Sequence, residues 1–320
     1  MQKYKKFFIR TFIIFIISMI VFPLSFLLWI DYMIGRHHYS KTADYVNYLI
    51  EQKKQIAKKY DAKGKKIVFL SGSNTLYGIN SKYMHEKTGL PILNYGLHAG
   101  FEHYIFYESK KILKSGDIVV LPLEFSLYKK DADTIPAQLA EYLVTYGHDY
   151  YKDLSLVQKL GLSFYLIKLI ITYHKLDADK LDETILSQTN DYGDFVSNKG
   201  NLPNIKKEKK YISITAAIPQ NNKNFSLYDF IQFCKKNNIK VYATLPYHYH
   251  KQEYTESEKS AYENIRSFYE KNGIQMLGDI KSGAVYEEDL VYDFGYHAND
   301  IGQKLHSDRM IKLLSSIDLD

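Results

Sequence analysis

Apolar residues occur along the chain in short blocks that alternate with segments of helical periodicity. Five of the blocks have the length and the apolar content of buried strands, and turn residues flank them. Between the blocks, apolar positions recur with the spacing of amphipathic helices. This alternation predicts an α/β fold with a parallel sheet, because parallel strands need crossover connections. The predicted strands are 66–71, 91–95, 117–123, 239–245 and 274–277.

The order of the elements predicts a three-layer αβα, flavodoxin-like arrangement with the strand order 2-1-3-4-5. After the third strand the alternation stops, and residues 126–225 contain apolar helical segments and a loop rich in Asn, Gly and Ser. We therefore expect one domain at 66–320 that carries a mainly helical insertion. The predicted helices are 41–60, 81–89, 103–116, 226–238, 256–273 and 299–317.

The longest apolar segment, TFIIFIISMIVFPLSFLLWI at residues 11–30, follows a basic stretch. As a helix it spans about 30 Å, which is the thickness of a hydrocarbon core. A cleaved signal peptide is the alternative, but the segment is too long and no small-residue cleavage motif follows it. The basic flank predicts a cytoplasmic amino terminus. Residues 1–33 are thus expected to form a tail and a single-pass membrane anchor, residues 34–65 a linker helix, and the remainder an extracytoplasmic domain.

Composition argues against several kinds of site. The net charge of +6 is modest and lies partly in local lysine runs, so nucleic acid is not an expected partner. The single cysteine, Cys234, excludes an internal disulfide and a cysteine-based metal cage. His248 and His250 lack acidic or thiol partners at metal-ligand spacing, so no metal is expected. The sequence also lacks a P-loop lysine and a dinucleotide-binding glycine pattern, and no cofactor is predicted.

Polar residues follow the predicted strands at their carboxyl ends, where open parallel sheets form their sites. The first strand runs into SGSN, the second into NYGLHAG, and YDFGYHANDIG precedes the last helix. Each segment alone is a weak indication. SGSN is either an ordinary tight turn or a hydroxyl presented at the edge of the sheet. The topology predicts that all three segments share that edge.

Together these segments resemble the SGNH (GDSL-like) hydrolases and acyltransferases over residues 66–125 and 226–317. GSNTLYG is similar to the block that carries the nucleophile, and DFGYHANDIG to the block with the Asp–His pair before the last helix. ILNYGLHAG looks like the block whose backbone amide helps to form the oxyanion hole. The chain is most similar to membrane-anchored members associated with surface-polysaccharide modification.

The resemblance implies roles for particular residues. Ser73 would be the nucleophile, His297 the base that accepts its proton, and Asp293 the carboxylate that fixes the imidazole tautomer. A further set of residues would contact the oxyanion or the substrate through backbone or side-chain donors. These are Asn74, Asn94, Gly96 and Gly100.

The nucleophile block departs from the family pattern. Matching Gly72 and Gly78 to the glycines of that block shifts the register by one residue. Ser73 then falls on the family's acidic position, and Asn74 falls on its nucleophile position. Ser73, Ser71 and Asn74 therefore remain alternatives for the nucleophile.

Three other blocks depart as well. In NYGLHAG the glycine comes one residue late. Asp293 precedes His297 by four residues, where the family has three. The family's Gly-x-Asn-Asp block is missing, and PLEFSLY with Glu124 and Ser126 stands in its place. These departures favour a second hypothesis, in which the chain is an inactive descendant.

The leading hypothesis is an extracytoplasmic serine esterase or O-acyltransferase that acts on acyl groups, such as acetyl, of a cell-envelope glycan. As a transferase it would receive acyl groups from a multi-span membrane partner, and the apolar segment at 154–174 suits such docking. The alternative is a catalytically inactive SGNH-like binding or scaffold component of a polysaccharide assembly or modification system. Geometry discriminates between them, because base catalysis requires about 3 Å between the serine oxygen and an imidazole nitrogen.

Overall fold

The structure, a computed structural model, describes residues 2–33, 41–128, 135–172, 187–200, 211–217, 219 and 226–319. Its α-helices are α1 (Gln2–Met33), α2 (Lys41–Asp61), α3 (Ser73–Gly78), α4 (Ser81–Thr88), α5 (Tyr104–Lys110), α6 (Ala137–Thr145), α7 (His148–Asp153), α8 (Leu156–Thr172), α9 (Ser226–Lys236), α10 (Glu256–Lys271) and α11 (Asp300–Leu314). Its strands are β1 (Ile67–Ser71), β2 (Ile92–Gly96), β3 (Ile118–Leu121), β4 (Lys240–Ala243), β5 (His248–Tyr249), β6 (Gln275–Met276) and β7 (Ala284–Val285).

Five of the strands form one parallel sheet in the order β2-β1-β3-β4-β6. Because β6 is the fifth strand of this sheet along the chain, the predicted order 2-1-3-4-5 and the parallel pairing are confirmed. All residues of β1, β2 and β3 are buried, as expected for strands covered on both faces. β1 and β2 stay paired to their carboxyl ends, where Ser71 lies opposite Gly96. A second parallel pair, β5 with β7, was not predicted.

The amino ends of β1 and β3 are tied by a buried ion pair. Lys66 Nζ lies 2.6 Å from Asp117 Oδ2, and the Lys66 backbone N–H donates to Asp117 Oδ1 at 3.1 Å. Asp61, the last residue of α2, supplies a second carboxylate oxygen 2.7 Å from Lys66 Nζ. Removing one partner of such a pair leaves an uncompensated buried charge and costs about 3–5 kcal/mol. The pair thus fixes the two strands at the end of the sheet opposite their carboxyl ends.

The chain divides into two compact units. One unit contains α1, α6, α7 and α8, and within it α8 packs against both α1 and α6. The other contains both sheets, the remaining helices and α2 from Tyr45 onward. The candidate site residues named from the sequence all lie in this second unit.

Helix α1 carries the apolar segment. The stretch Lys3–Phe26, 24 residues long, has the length and composition to cross a membrane, and its side chains are exposed in the structure. Pro23 lies inside the helix without ending it, which membrane helices tolerate because neighbouring groups satisfy the freed carbonyl. α1 is therefore a candidate membrane span.

The predicted insertion is helical where α6, α7 and α8 describe it. Residues 129–134, 173–186 and 201–210 lie outside the described part of the chain. Residues 187–200 form no helix, as the sequence predicted for this loop-like stretch. Asp194 accepts hydrogen bonds from the first two amides of α4, and the Phe195 N–H donates to the Leu76 carbonyl at 3.4 Å. This segment therefore covers the end of α3.

Not every predicted boundary is correct. The helix predicted at 103–116 is shorter, because α5 ends at Lys110. Two turns then lead to Gly116, whose φ of +88° favours glycine, and β3 begins two residues later. The strand predicted at 274–277 is confined to the two residues of β6.

Candidate active site

Ser73 is the first residue of α3 and follows the carboxyl end of β1, with Gly72 between them. Its hydroxyl makes two side-chain contacts. Ser73 Oγ lies 2.8 Å from His297 Nε2 and 3.2 Å from Glu124 Oε1. The strand thus runs directly into a short helix that presents an oxygen at the carboxyl edge of the sheet.

Asp293 and His297 lie in a closed turn that precedes α11. Within the turn, the Tyr292 N–H donates to the His297 carbonyl at 2.8 Å, and the His297 N–H donates to the Phe294 carbonyl at 2.7 Å. An isolated antiparallel bridge closes its base. The turn places Asp293 Oδ1 2.6 Å from His297 Nδ1. The four-residue spacing, which departs from the family pattern, is therefore compatible with direct contact.

The three side chains form one continuous hydrogen-bonded chain, although 224 positions separate Ser73 from His297. When Asp293 accepts the Nδ1–H of a neutral imidazole, Nε2 presents its lone pair to Ser73. This is the tautomer that a general base needs. The arrangement can take a proton from Ser73 Oγ while that oxygen attacks a carbonyl carbon.

Aromatic rings surround the imidazole of His297. The Tyr77 ring stacks on it with a centroid distance of 4.1 Å and an interplanar angle of 9°. The Phe294 ring lies edge-on to the imidazole, with 5.6 Å between the ring centroids. The centroid of the Phe195 ring lies 4.3 Å from that of Tyr77. Burial, together with the nearby charge of Asp293, raises the pKa of Tyr77 well above its usual range. The Tyr77 side chain is thus uncharged, and its ring orients the plane of the His297 imidazole.

Asn74, the alternative at the nucleophile position, is buried and faces away from the base. Its Nδ2 donates to the Pro122 carbonyl at 2.7 Å, and its backbone N–H donates to Glu124 Oε1 at 2.9 Å. Its Oδ1 has no hydrogen-bond partner among the described residues. Asn74 therefore joins α3 to the end of β3 rather than contacting His297.

Asn94 is also buried and holds α3 in place. Its Nδ2 donates to the carbonyls of Thr75 and Ile79, each at 3.0 Å, and its Oδ1 accepts the Gly96 N–H at 2.9 Å. Its carbonyl accepts a hydrogen bond from Lys53 Nζ at 2.6 Å. Burial lowers the pKa of Lys53 to about 7. The amide group of Asn94 is thus fully used in hydrogen bonds to the backbone in and around α3.

The two glycines expected at the oxyanion hole have different surroundings. Gly96 lies against the backbone of α3, where a Cβ would come within 2.1 Å of the Leu76 nitrogen. The Gly100 N–H donates to His98 Nδ1 at 3.0 Å. Desolvation lowers the pKa of His98, and repulsion from His297 lowers it further. Both glycine amides therefore bond to side chains of their own segment.

Glu124 enters the site from the residues that follow β3. Its carboxyl oxygen Oε1 contacts both Ser73 Oγ and the Asn74 amide, and its side chain is almost fully buried. Burial raises the pKa of Glu124 against the opposing effects of these hydrogen bonds and of His297. Ser71, the other alternative nucleophile, is buried and its Oγ accepts the Glu124 N–H at 3.1 Å. Ser71 thus fixes the backbone of Glu124.

The two histidines after β4 are bound to other groups. His250 Nε2 lies 2.9 Å from Glu258 Oε1, and His248 Nδ1 lies 2.8 Å from the Pro246 carbonyl oxygen. Glu258 also closes the capping box at the start of α10 with Thr255. Among the described residues, no group of three or more His, Cys, Asp and Glu side chains is placed to hold a metal ion.

Sequence reasoning noted Glu124 without assigning it a role and did not single out Tyr77. A charged residue inside the otherwise apolar run LPLEF indicates a buried carboxylate with a partner. No pattern in the sequence distinguishes Tyr77 from the many other tyrosines, because its role depends on the angle at which α3 leaves β1.

Comparison of the sequence with protein-family models and with curated proteins finds no match.

Proposed function

We propose that the protein is a serine esterase or O-acyltransferase of the SGNH type, with Ser73 as nucleophile, His297 as base and Asp293 as orienting carboxylate. The observation that carries the proposal is the hydrogen-bonded chain through these three residues. Ser73 Oγ attacks an ester carbonyl and its proton passes to His297 Nε2. The imidazolium then protonates the leaving alcohol, which leaves an acyl group on Ser73. Water or an acceptor hydroxyl removes that group by the same steps in reverse.

The proposed substrate is an O-acylated glycan of the cell envelope, reached from the extracytoplasmic side of a membrane that α1 spans. The apolar length of α1 and its basic start support this placement. Helix α8, which packs on α1, exposes Leu156, Val157 and Phe164. Exposed apolar side chains next to a membrane span favour contact with lipid or with a multi-span acyl-donor partner. The five-stranded sheet would then be the core of a flavodoxin-like, three-layer domain.

The first test asks whether Ser73 is an activated serine. The full chain, purified in detergent, is treated with a fluorophosphonate probe, and hydrolysis of p-nitrophenyl acetate is followed in parallel. We expect the wild type to be labelled and active, and Ser73→Ala and His297→Ala to lose both properties while keeping their melting temperatures. Ser126→Ala, which alters an exposed serine near the site, is the matched control and should behave as the wild type. Undiminished labelling of Ser73→Ala would contradict the proposal.

The second test concerns the substrate. The acyl content of the envelope glycan is compared between cells that lack the protein, cells that carry the wild type and cells that carry Ser73→Ala. An esterase lowers the acyl content and a transferase raises it, and in either case Ser73→Ala should match the cells without the protein. An acyl content that is the same in all three would remove the glycan from the proposal.

A specific observation favours the second candidate function, a non-catalytic glycan-binding component. The amides of Asn74, Gly96 and Gly100, which the oxyanion hole would use, all bond to side chains of this protein. If this arrangement is permanent, these three amides cannot bind a tetrahedral intermediate. The binding function predicts no probe labelling at any pH and equal glycan retention by the wild type and Ser73→Ala.

A further inference from the structure

The carboxyl group of Glu124 lies against the hydroxyl of Ser73 and against the Asn74 amide, one of the groups expected to bind the oxyanion. Glu124 Oε1 is 3.2 Å from the nucleophile Ser73 Oγ and 2.9 Å from the Asn74 amide nitrogen. The group is held in place, because the Glu124 N–H donates to Ser71 Oγ and Asn74 Nδ2 donates to the Pro122 carbonyl. Only 3% of the Glu124 surface is exposed. The surrounding hydrogen bonds therefore fix the contact between Glu124 and Ser73.

Ser73 can form hydrogen bonds to both of its neighbours only if one additional proton is present. Ser73 has one hydroxyl hydrogen but faces two acceptors, His297 Nε2 and Glu124 Oε1. If Glu124 is ionised and His297 is the neutral Nδ1–H tautomer that Asp293 selects, one of the two contacts brings lone pairs together without a hydrogen. One additional proton makes both contacts hydrogen bonds. When that proton is on Glu124, the acid donates to Ser73 Oγ and the serine hydrogen is directed to the base.

We propose that Glu124 is a catalytic residue that acts as a neutral carboxylic acid and donates its hydrogen bond first to Ser73 Oγ and then to the substrate oxyanion. This inference rests on the proposed function. During attack, the bond between Oγ and the carbonyl carbon forms, the serine proton passes to His297, and the carbonyl π electron pair moves to the carbonyl oxygen. The Glu124 O–H turns from Oγ to that oxygen and keeps its proton throughout. A neutral buried acid can stabilise an oxyanion in this way, whereas a carboxylate would repel it.

The neutral form of Glu124 is consistent with its surroundings. Burial raises the pKa of its carboxyl group. The titratable groups that face it are His297, from the turn before α11, and Tyr296, whose hydroxyl accepts the Phe125 N–H at 3.0 Å. α3 presents the backbone amides of Ser73 and Asn74 and the hydroxyl of Ser73 to it, but no charged side chain. The reaction should therefore slow at alkaline pH, as Glu124 loses its proton.

The test compares the rate of fluorophosphonate labelling against pH for the full-length wild type, Glu124→Gln and Glu124→Ala in detergent. Glutamine keeps the shape and an N–H donor but cannot ionise, so its profile should lack the alkaline decline. Glu124→Ala should be slower by about 10²-fold or more at every pH, the usual effect of losing one oxyanion donor. Glu253→Gln, at an exposed position, is the control and should keep the wild-type profile. An alkaline decline in Glu124→Gln equal to that of the wild type would overturn the proposal.

A second measurement does not depend on activity. The infrared difference spectrum between the wild type and Glu124→Gln at neutral pH should contain the carbonyl stretch of one protonated carboxylic acid. Asp194, whose buried carboxyl also has a raised pKa, is common to both proteins and cancels. Ser73→Ala should shift the band, because the acid loses its acceptor, and this arm remains available if Glu124→Gln does not fold. Absence of the band, or a band that Ser73→Ala leaves unshifted, would also overturn the proposal.

The two measurements separate this inference from the function on which it rests. A wild type that reacts with the probe, with an unchanged profile in Glu124→Gln, contradicts the role of Glu124 and leaves the serine site standing. If the wild type shows the acid band but never reacts with the probe, both the serine site and the catalytic role of Glu124 are contradicted. Only the protonated state of Glu124 is then supported.

Discussion

Asp293 and His297 are joined by a hydrogen bond of 2.6 Å between Oδ1 and Nδ1. The bond is formed inside a turn of a few residues, so the relative position of carboxylate and imidazole depends on local backbone bonds and not on the packing of distant elements. The pair can therefore be altered without disturbing the sheet.

Asp293→Asn should lower kcat/KM for p-nitrophenyl acetate by on the order of 10³- to 10⁴-fold, because an amide no longer selects the Nδ1–H tautomer. The value of KM should change little, since the carboxylate does not contact the substrate. Asp289→Asn, an exposed aspartate just before the same turn, is the control. Steady-state kinetics check the prediction, and full activity of Asp293→Asn would remove Asp293 from the site.

Gly96→Ala should strongly destabilise the domain. An added Cβ would meet the Leu76 nitrogen at 2.1 Å, and this atom belongs to the backbone of α3 and cannot rotate away. The expected loss in free energy of unfolding is about 3 kcal/mol or more, the upper range for overpacking. Gly161→Ala, a helical position with open space around it, should be neutral or stabilising by up to about 1 kcal/mol. Urea unfolding of both variants measures the difference, and equal stabilities would contradict the close approach of β2 and α3.

Stability should decrease as the pH falls below about 6.5, the usual pKa of histidine. Burial lowers the pKa of His248 to about 4 and that of His306 to about 3. Between these values and 6.5 the unfolded chain binds protons that the folded chain excludes, so the free energy of unfolding falls with pH. For His248 the full effect is about 3 kcal/mol, reached near pH 4.

Urea unfolding at several pH values tests this dependence. His306→Gln should reduce the slope of stability against pH, whereas His148→Gln, which replaces a histidine that is not fully buried, should leave it unchanged. A slope that neither variant changes would show that other groups control the acid sensitivity.

The membrane orientation can be tested with epitopes at the two ends of the chain. Protease added to the outside of cells, after any outer barrier is permeabilised, should remove an epitope placed after Asp320 and spare one placed before Met1. The reason is the basic flank that precedes the apolar part of α1. A cytoplasmic marker protein controls for lysis. Protection of the carboxyl-terminal epitope would place the α/β unit in the cytoplasm.

Much of the fold could be predicted from the sequence pattern, because β1 and β3 are buried on both faces and consist almost entirely of apolar residues. The pair β5 and β7 could not, since strands of two residues are shorter than any periodic pattern. The sequence does not predict α3 as a helix, because its six residues contain Gly, Ser and Asn. Such residues disfavour helices in isolation, and here the packing against β2 and the hydrogen bonds from Asn94 stabilise the helix.

The candidate site was predictable in part for a related reason. The pairing of Ser73 with His297 followed from the resemblance of their segments to SGNH blocks, together with the rule that strand ends share one edge of a parallel sheet. The contact of Glu124 with Ser73 did not follow, because it depends on which side chain of the residues after β3 points toward α3. The hydrogen bonds that Asn94 and Gly96 make within the protein depend in turn on the side-chain packing around α3.

The separation of Ser73 and His297 along the chain has a consequence for biosynthesis. A ribosome completes β1 and α3 long before it adds the turn that carries the base, so a growing chain holds a serine with no proton acceptor. Under the proposed function, such a chain cannot form an acyl-enzyme, even if α1 has already entered a membrane. Prematurely terminated chains would therefore not react with esters. The ability to react would arise when α11 docks against α3 and α4.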